Sequence, residues 1–65
     1  MKVSLNGNII ELADKATLID LLQQNPMTEP FAIAVNTNFV AKENYAKFEL
    51  KTGDLIDIVQ AVVGG

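Results

Sequence analysis

The chain has 65 residues, with eight acidic side chains against five basic ones, and it contains neither cysteine nor histidine. Without those two residue types the side chains cannot supply a thiolate nucleophile, a thioester or an imidazole base, so we expect no self-contained enzyme. No acidic cluster has the spacing of a calcium loop, so no metal site is expected. The net charge of −3 argues against nucleic acid and anionic membranes as partners. The length suffices for one domain.

Two short apolar runs at the N-terminus predict a β-hairpin. They cover residues 2–6 and 8–12, and they meet at Asn6 and Gly7. A type I′ turn needs positive φ at both of its central positions, which Asn followed by Gly provides.

One helix is predicted over residues 17–25. Thr17 is its candidate N-cap, and Asp20 three residues later forms a variant of the capping box and suits the positive end of the helix dipole. Leu18, Leu21 and Leu22 follow Thr17 at helical spacing. Pro26 ends the helix, because proline disfavours the helical conformation in the residue before it.

The second half of the chain predicts strands. The apolar run 31–35 indicates a central strand, residues 39–40 begin a short strand, 41–45 can form one helical turn, and 48–50 alternates like an edge strand with its charges outward. In the last strand, 55–61, alternation places Ile56 and Ile58 on one face and Asp57, Val59 and Ala61 on the other. Phe39 and Tyr45 are expected to pack in the core or at the sheet edge.

The order of these elements is a hairpin, a helix and three further strands. A crossover helix returns the chain to a strand parallel to its start, which predicts an α+β fold of the ubiquitin-like β-grasp type. We expect a mixed sheet of four to five strands packed on one helix. Residues 1–65 would form this single domain, with 62–65 as a flexible C-terminal tail.

Several segments match the pattern of a known family. They are 17–22 at the start of the helix, Ala-Val-Asn at 34–36, Phe-Val at 39–40, Gly-Asp at 53–54 and Val-Gly-Gly at 63–65. On these segments the chain resembles the ThiS family, the sulfur-carrier proteins of bacterial thiamin biosynthesis. Ala41 departs from the pattern, because a proline is common after the valine.

The C-terminal pair Gly64 and Gly65 has a physical rationale for such a function. Without a Cβ, a glycine backbone can thread a narrow channel in another protein. A free α-carboxyl, whose pKa is about 3.5, is ionised at neutral pH and is a poor electrophile until it is activated. The resemblance implies that Gly65 carries first an adenylate and then a thiocarboxylate.

The residues before the glycines are candidates for partner contact. Val62, Val63 and Gly64 would form a partner-binding tail, since a solvated tail is usually polar. Val62 could instead end the strand and pack within the domain. Val59 and Ala61 form a possible partner surface, although a single exposed valine is also normal.

The resemblance implies partners and an external cofactor. An E1-like, ThiF-like adenylyltransferase would use ATP and Mg²⁺, a cysteine desulfurase would supply sulfur, and a ThiG-like thiazole synthase would receive it. The chain lacks a glycine-rich phosphate loop, so we expect no bound cofactor and no catalytic residue on the chain itself.

Three alternatives stay open at this point. The small subunit of molybdopterin synthase would share the fold and the thiocarboxylate, a ubiquitin-like modifier would pass the activated carbonyl to a lysine amine, and a plain binding module would not need the glycines. The polar N-terminus predicts no signal peptide, and the cytoplasm is the expected location.

Overall fold

The computed structural model describes residues 1–60, which form one helix packed on one mixed sheet. The elements in chain order are β1 (Lys2–Leu5), β2 (Asn8–Glu11), α1 (Leu18–Gln24), β3 (Phe31–Val35), β4 (Asn38–Val40), a 3-10 helix (Lys42–Asn44) and β5 (Leu55–Gln60). The five strands lie in the order β2-β1-β5-β3-β4. The pair β1 and β5 is parallel and the other pairs are antiparallel. This is the predicted α+β architecture, and within residues 1–60 no helix is long and apolar enough to span a membrane.

The N-terminal hairpin turns where the sequence predicts. Asn6 has φ 49° and Gly7 has φ 85°, so both central positions of the turn are left-handed, as a type I′ turn requires. The strands pair from Lys2 opposite Glu11 to Leu5 opposite Asn8. β1 therefore ends at Leu5, one residue earlier than predicted, because Asn6 belongs to the turn.

The capping residues that define α1 act as predicted. The Asp20 amide donates to Thr17 Oγ1 at 3.4 Å, and the Thr17 amide donates to Asp20 Oδ2 at 2.9 Å. This reciprocal capping box satisfies backbone donors that the first helical turn leaves free. At the other end the Asn25 amide still donates to the Leu21 carbonyl, and Pro26 follows directly. A helix of only 7 residues depends on the sheet beneath it for its stability.

The hydrophobic core lies between α1 and one face of the sheet, which we call the inner face. The side chains with at most 2% exposure are Val3, Leu18, Leu21, Ile33, Leu50 and Ile56. They come from β1, α1, β3, β5 and the loop before β5. Tyr45 is also part of the core, at 4% exposure, and its ring stacks on Phe31 with 6.5 Å between centroids. Packing of Tyr45 is therefore confirmed.

The edge strand predicted over 48–50 is wrong. This segment makes only an isolated bridge, between Glu49 and Thr17. The Leu18 amide donates to the Phe48 carbonyl at 3.2 Å and the Leu50 amide donates to the Ala16 carbonyl at 2.8 Å. The segment thus pairs with the chain entering α1 and not with the sheet, although its alternation still buries Leu50.

Candidate functional site: the C-terminal strand and the outer face of the sheet

The strand that precedes the C-terminus is the central strand of the sheet. β5 pairs with β1 on one side and with β3 on the other, down to Gln60 opposite Phe31. The predicted attachment residue Gly65 and the predicted contact residues Ala61, Val62, Val63 and Gly64 lie outside the described residues. The structure thus describes the base from which these five residues extend, and their predicted roles stay predictions.

Hydrogen bonds to three loops hold β5 in place along its length. The Leu55 amide donates to Asn36 Oδ1 at 3.0 Å, and the Ile58 amide donates to Asn6 Oδ1 at 2.8 Å. At the end of the strand, Gln60 Nε2 donates to the Thr28 carbonyl at 3.0 Å. The bond accepted by Asn6 Oδ1 extends the pairing of β5, because β1 has already ended and its strand backbone does not satisfy the Ile58 amide.

A tight turn sets the start of β5. Gly53 has φ 87°, a conformation that favours glycine, and its amide donates to the Lys2 carbonyl at 2.8 Å. Asp54 accepts through Oδ2 from the Lys51 amide at 2.8 Å and through Oδ1 from Asn36 Nδ2 at 3.0 Å. The Gly-Asp pair noted in the sequence therefore positions the strand that leads to the C-terminus.

The face of the sheet opposite α1, which we call the outer face, carries exposed apolar side chains. Phe39 is 71% exposed, Ile9 69%, Val59 57% and Leu55 55%. Small residues connect them across the strands. Ser4 lies between Ile9 and Leu55, Ala34 pairs with Phe39 on one side and Asp57 on the other, and Ala32 pairs with Val59. An apolar surface of this kind is typical of a site that binds another protein.

Sequence reasoning identified part of this face. Val59 points outward beside Asp57, as predicted, and its role in partner binding stays a prediction. The expectation that Phe39 packs is wrong: it lies on the edge strand β4, but its ring stands exposed on the outer face. Ile9 and Leu55 were missed. The signal was present, since each alternates with a neighbouring isoleucine that points to the inner face.

Charged groups on the remaining surface form few specific contacts. Lys42 Nζ donates to Glu29 Oε1 at 2.9 Å, and this hydrogen bond raises the pKa of the lysine ammonium. The N-terminal ammonium lies 3.4 Å from a Glu11 carboxylate oxygen. Within residues 1–60, no three His, Cys, Asp or Glu side chains come together as metal ligands would. The exposed apolar side chains of the outer face are therefore the feature of residues 1–60 on which a candidate site is built.

One helix on a five-stranded mixed sheet, with the central strand leading to the C-terminus, defines the class as ubiquitin-like β-grasp proteins. The ThiS family model matches residues 3–65. The chain therefore belongs to the ThiS family of small sulfur-carrier proteins.

A solved structure is similar to this fold over its whole length. The crystal structure of the thiamine biosynthesis protein ThiS from Geobacter metallireducens matches with a TM-score of 0.83 and covers 100% of both chains. The two sequences are 20% identical, so this comparison supports the fold alone. A search of curated proteins found no significant match.

Proposed function

We propose that the chain carries sulfur for thiamin biosynthesis as a thiocarboxylate on Gly65. The observation that supports this most is the family match, which extends through the terminal glycines at 64–65. The geometry is compatible with it, because β5 leads to those residues from the centre of the sheet. The carrier would be a co-substrate of its partner enzymes and not an enzyme itself.

Activation of the carboxylate is the first chemical step of the proposal. An oxygen of the Gly65 carboxylate attacks the α-phosphorus of ATP, and pyrophosphate leaves. The negative charge of the free carboxylate would otherwise repel a sulfur nucleophile, and its oxygen is a poor leaving group. ATP and Mg²⁺ belong to the E1-like, ThiF-like partner. This chain contributes the reacting carboxylate and a surface by which it is recognised.

Sulfur transfer follows on the acyl adenylate. A desulfurase takes the sulfur of cysteine as a persulfide, and a thiol reductant releases it as hydrosulfide while the thiol is oxidised to a disulfide. The hydrosulfide attacks the carbonyl carbon and AMP leaves. A carbon–sulfur bond then stands where a carbon–oxygen bond stood. The thiocarboxylate is itself a nucleophile, and a ThiG-like thiazole synthase would use it as the sulfur source for the thiazole ring. Because the sulfur would be bonded to the C-terminal carbonyl carbon and not to a side chain, the absence of cysteine is compatible with this function.

The outer face would orient the carrier on its partners. Docking through Val59, Leu55 and Phe39 would fix β5 against the partner and aim the residues after Gln60 into its active site. Ala61, Val62 and Val63 would extend this contact along the tail. Holding the reacting carboxylate in a defined position converts an encounter into an effectively unimolecular step.

Intact-mass spectrometry tests the proposal directly. The carrier is incubated with its E1-like adenylyltransferase, a cysteine desulfurase, cysteine, ATP and Mg²⁺. We expect a mass increase equal to the replacement of one oxygen by one sulfur. Deletion of Gly65 should abolish it, because the carboxylate then falls about 3.4 Å short of the reactive position.

A matched variant shows whether the terminus or the fold is responsible. Glu49→Gln changes an exposed residue in the loop that pairs with the entry to α1, and it should gain sulfur as the unaltered chain does. If the chain lacking Gly65 gains the same mass, sulfur is attached elsewhere and the proposal is wrong. Covalent attachment of the chain to lysines of other proteins would support a ubiquitin-like modifier instead.

A further inference from the structure

One carboxylate stands in the middle of the apolar outer face. Asp57 lies on the central strand β5, with Leu55 and Val59 as its neighbours on the same face of that strand. Across the strands it pairs with Ala34, which in turn pairs with Phe39. The carboxylate is exposed to water in the free chain. Its neighbours along β5 and its partner on β3 are therefore apolar or small, and on the β1 side the polar Asn6 lies next to the strand.

Asp57 has no internal partner among residues 1–60. Its carboxylate takes part in none of the ion pairs of this part of the chain, which join the N-terminal ammonium to Glu11 and Asp14, and Lys42 to Glu29. The lysine on the same face, Lys2, lies at the opposite end of β1, where it pairs with Glu11. β1 ends at Leu5, opposite Ile56, so no residue of that strand lies beside Asp57. Water is therefore what solvates this carboxylate.

Docking on the outer face would remove that water. A carboxylate enclosed in an apolar interface without a counter-charge is strongly disfavoured, whereas one that meets a cation with good geometry can be accommodated. Charges placed in this way discriminate between partners, because a partner with no cation at that point leaves the charge unpaired. The chain as a whole is acidic, which also favours a basic partner surface.

We propose that Asp57 is a specificity-determining residue of the docking surface. The partner is a protein that presents an apolar patch to Leu55, Val59 and Phe39 and places one lysine or arginine against Asp57. This inference rests on the proposed function, and the partner to which it commits is the E1-like adenylyltransferase. A different role for Asp57 would be to keep the apolar face from self-association, and the test separates the two.

The test compares two variants that each remove one negative charge. Asp57→Asn removes the charge from the centre of the outer face, and Glu49→Gln removes it from the exposed loop on the helix side. Binding to the purified adenylyltransferase is measured by calorimetry at several salt concentrations. We expect Asp57→Asn to raise the Kd about tenfold or more and to weaken its salt dependence, because an enclosed charge pair is lost. Glu49→Gln should bind like the unaltered chain.

A reversed charge gives a stronger result. Asp57→Lys should bind more weakly than Asp57→Asn at low salt and should recover part of its affinity as salt is added, because salt screens the new repulsion. Circular dichroism on each variant confirms that it is folded.

The outcomes distinguish this inference from the proposed function. If the unaltered chain binds and acquires sulfur, but Asp57→Asn binds equally well, then Asp57 is not a specificity determinant while the carrier function stands. In that case, increased self-association of Asp57→Asn in sedimentation would assign the residue to solubility. If the unaltered chain neither binds the adenylyltransferase nor acquires sulfur, both proposals are wrong.

Discussion

Both faces of the sheet carry large apolar side chains, yet only one of the two faces is covered. Along β5, Ile56 and Ile58 are 1% and 7% exposed, whereas their neighbours Leu55 and Val59 are 55% and 57% exposed. The residue types hardly differ between the two sets. What differs is the cover, because α1 packs on one face and no described element packs on the other. Apolar composition therefore does not identify the core of this protein by itself.

Under the proposed function, this difference divides the side chains of β5 between stability and binding. Side chains on the inner face are removed from water when the chain folds, so their transfer free energy stabilises the fold. Side chains on the outer face remain in water after folding, and their transfer free energy is still available when a partner binds. A small domain can thus use one strand for both purposes.

The largest expected effect is the difference in stability between truncating an inner-face and an outer-face side chain of β5. Ile56→Ala should lower the free energy of unfolding by about 2–5 kcal/mol, because it leaves a cavity beneath α1. Leu55→Ala should change it by no more than about 0.5 kcal/mol, since its side chain is mostly in water already. Urea denaturation followed by circular dichroism measures both.

If Ile56→Ala is unfolded in water, Ile56→Val serves in its place, with an expected loss of about 0.5–1.5 kcal/mol. Equal losses for the variants at 55 and 56 would mean that the outer face is covered in the free protein. The distinction between the two faces would then be wrong.

A second, smaller effect tests the hydrogen bond that holds β5 where β1 has ended, so that its side chains keep their positions on the two faces. Beyond Leu5 no strand of residues 1–60 pairs with β5 on the β1 side, and Asn6 Oδ1 accepts from the Ile58 amide instead. Asn6→Gly keeps the positive φ of the turn but removes this acceptor, so we expect a loss of about 1 kcal/mol. Asp at position 6 retains an acceptor and tolerates the same φ, so Asn6→Asp should stay close to the original stability.

Amide hydrogen exchange shows whether that loss arises at the strand. Exchange at Ile58 should accelerate in Asn6→Gly and not in Asn6→Asp. Exchange at Ile33, in the neighbouring strand β3, should change only in proportion to global stability. Unchanged protection of Ile58 in Asn6→Gly would show that the side chain does not hold β5, and that the turn alone accounts for any loss.

Local chemistry made most of the fold predictable. Asn6 and Gly7 fix a turn by their tolerance of positive φ, and Thr17 with Asp20 fixes the start of α1 by hydrogen bonds within four residues. The alternation along 55–60 predicted which side chains share a face. These features depend on neighbours in sequence, so they can be recognised without knowledge of the rest of the chain.

The features that could not be predicted from the sequence depend on which strands and loops lie next to one another in the fold. Residues 48–50 alternate as a strand does, but alternation does not say whether the segment pairs with the sheet or with the entry to α1. Phe39 is apolar in a strand, yet its exposure follows from β4 lying at the sheet edge with its ring on the uncovered face. Ile9 and Leu55 join Phe39 and Val59 on one surface only through strand order. The roles of Gly64 and Gly65 came from family resemblance, and the structure does not describe these residues.

The smallest expected effect is a gain in stability at Ala41, which follows β4 at the edge of the sheet. Ala41 has φ −67° and ψ 145°, close to the backbone conformation that a proline ring imposes. Within residues 1–60 its amide donates no backbone hydrogen bond outside the strand ladders, and Val40 before it is extended, as a residue preceding proline must be. Ala41→Pro should therefore stabilise the fold by about 0.4–1 kcal/mol, through the reduced entropy of the unfolded chain.

Ala41→Pro complements the comparison of the inner and outer faces, because its effect on stability should depend on neither face. Asn44→Pro is the matched control: its amide donates to the Ala41 carbonyl at 2.9 Å, so the same substitution there should destabilise. Thermal unfolding of the two variants should shift in opposite directions. A loss of stability in Ala41→Pro would show that the backbone at position 41 is constrained by a contact of its amide, and that the edge of β4 is not open in solution. The outer face would then be bordered by a further contact beside Phe39, which would narrow the surface available to a partner.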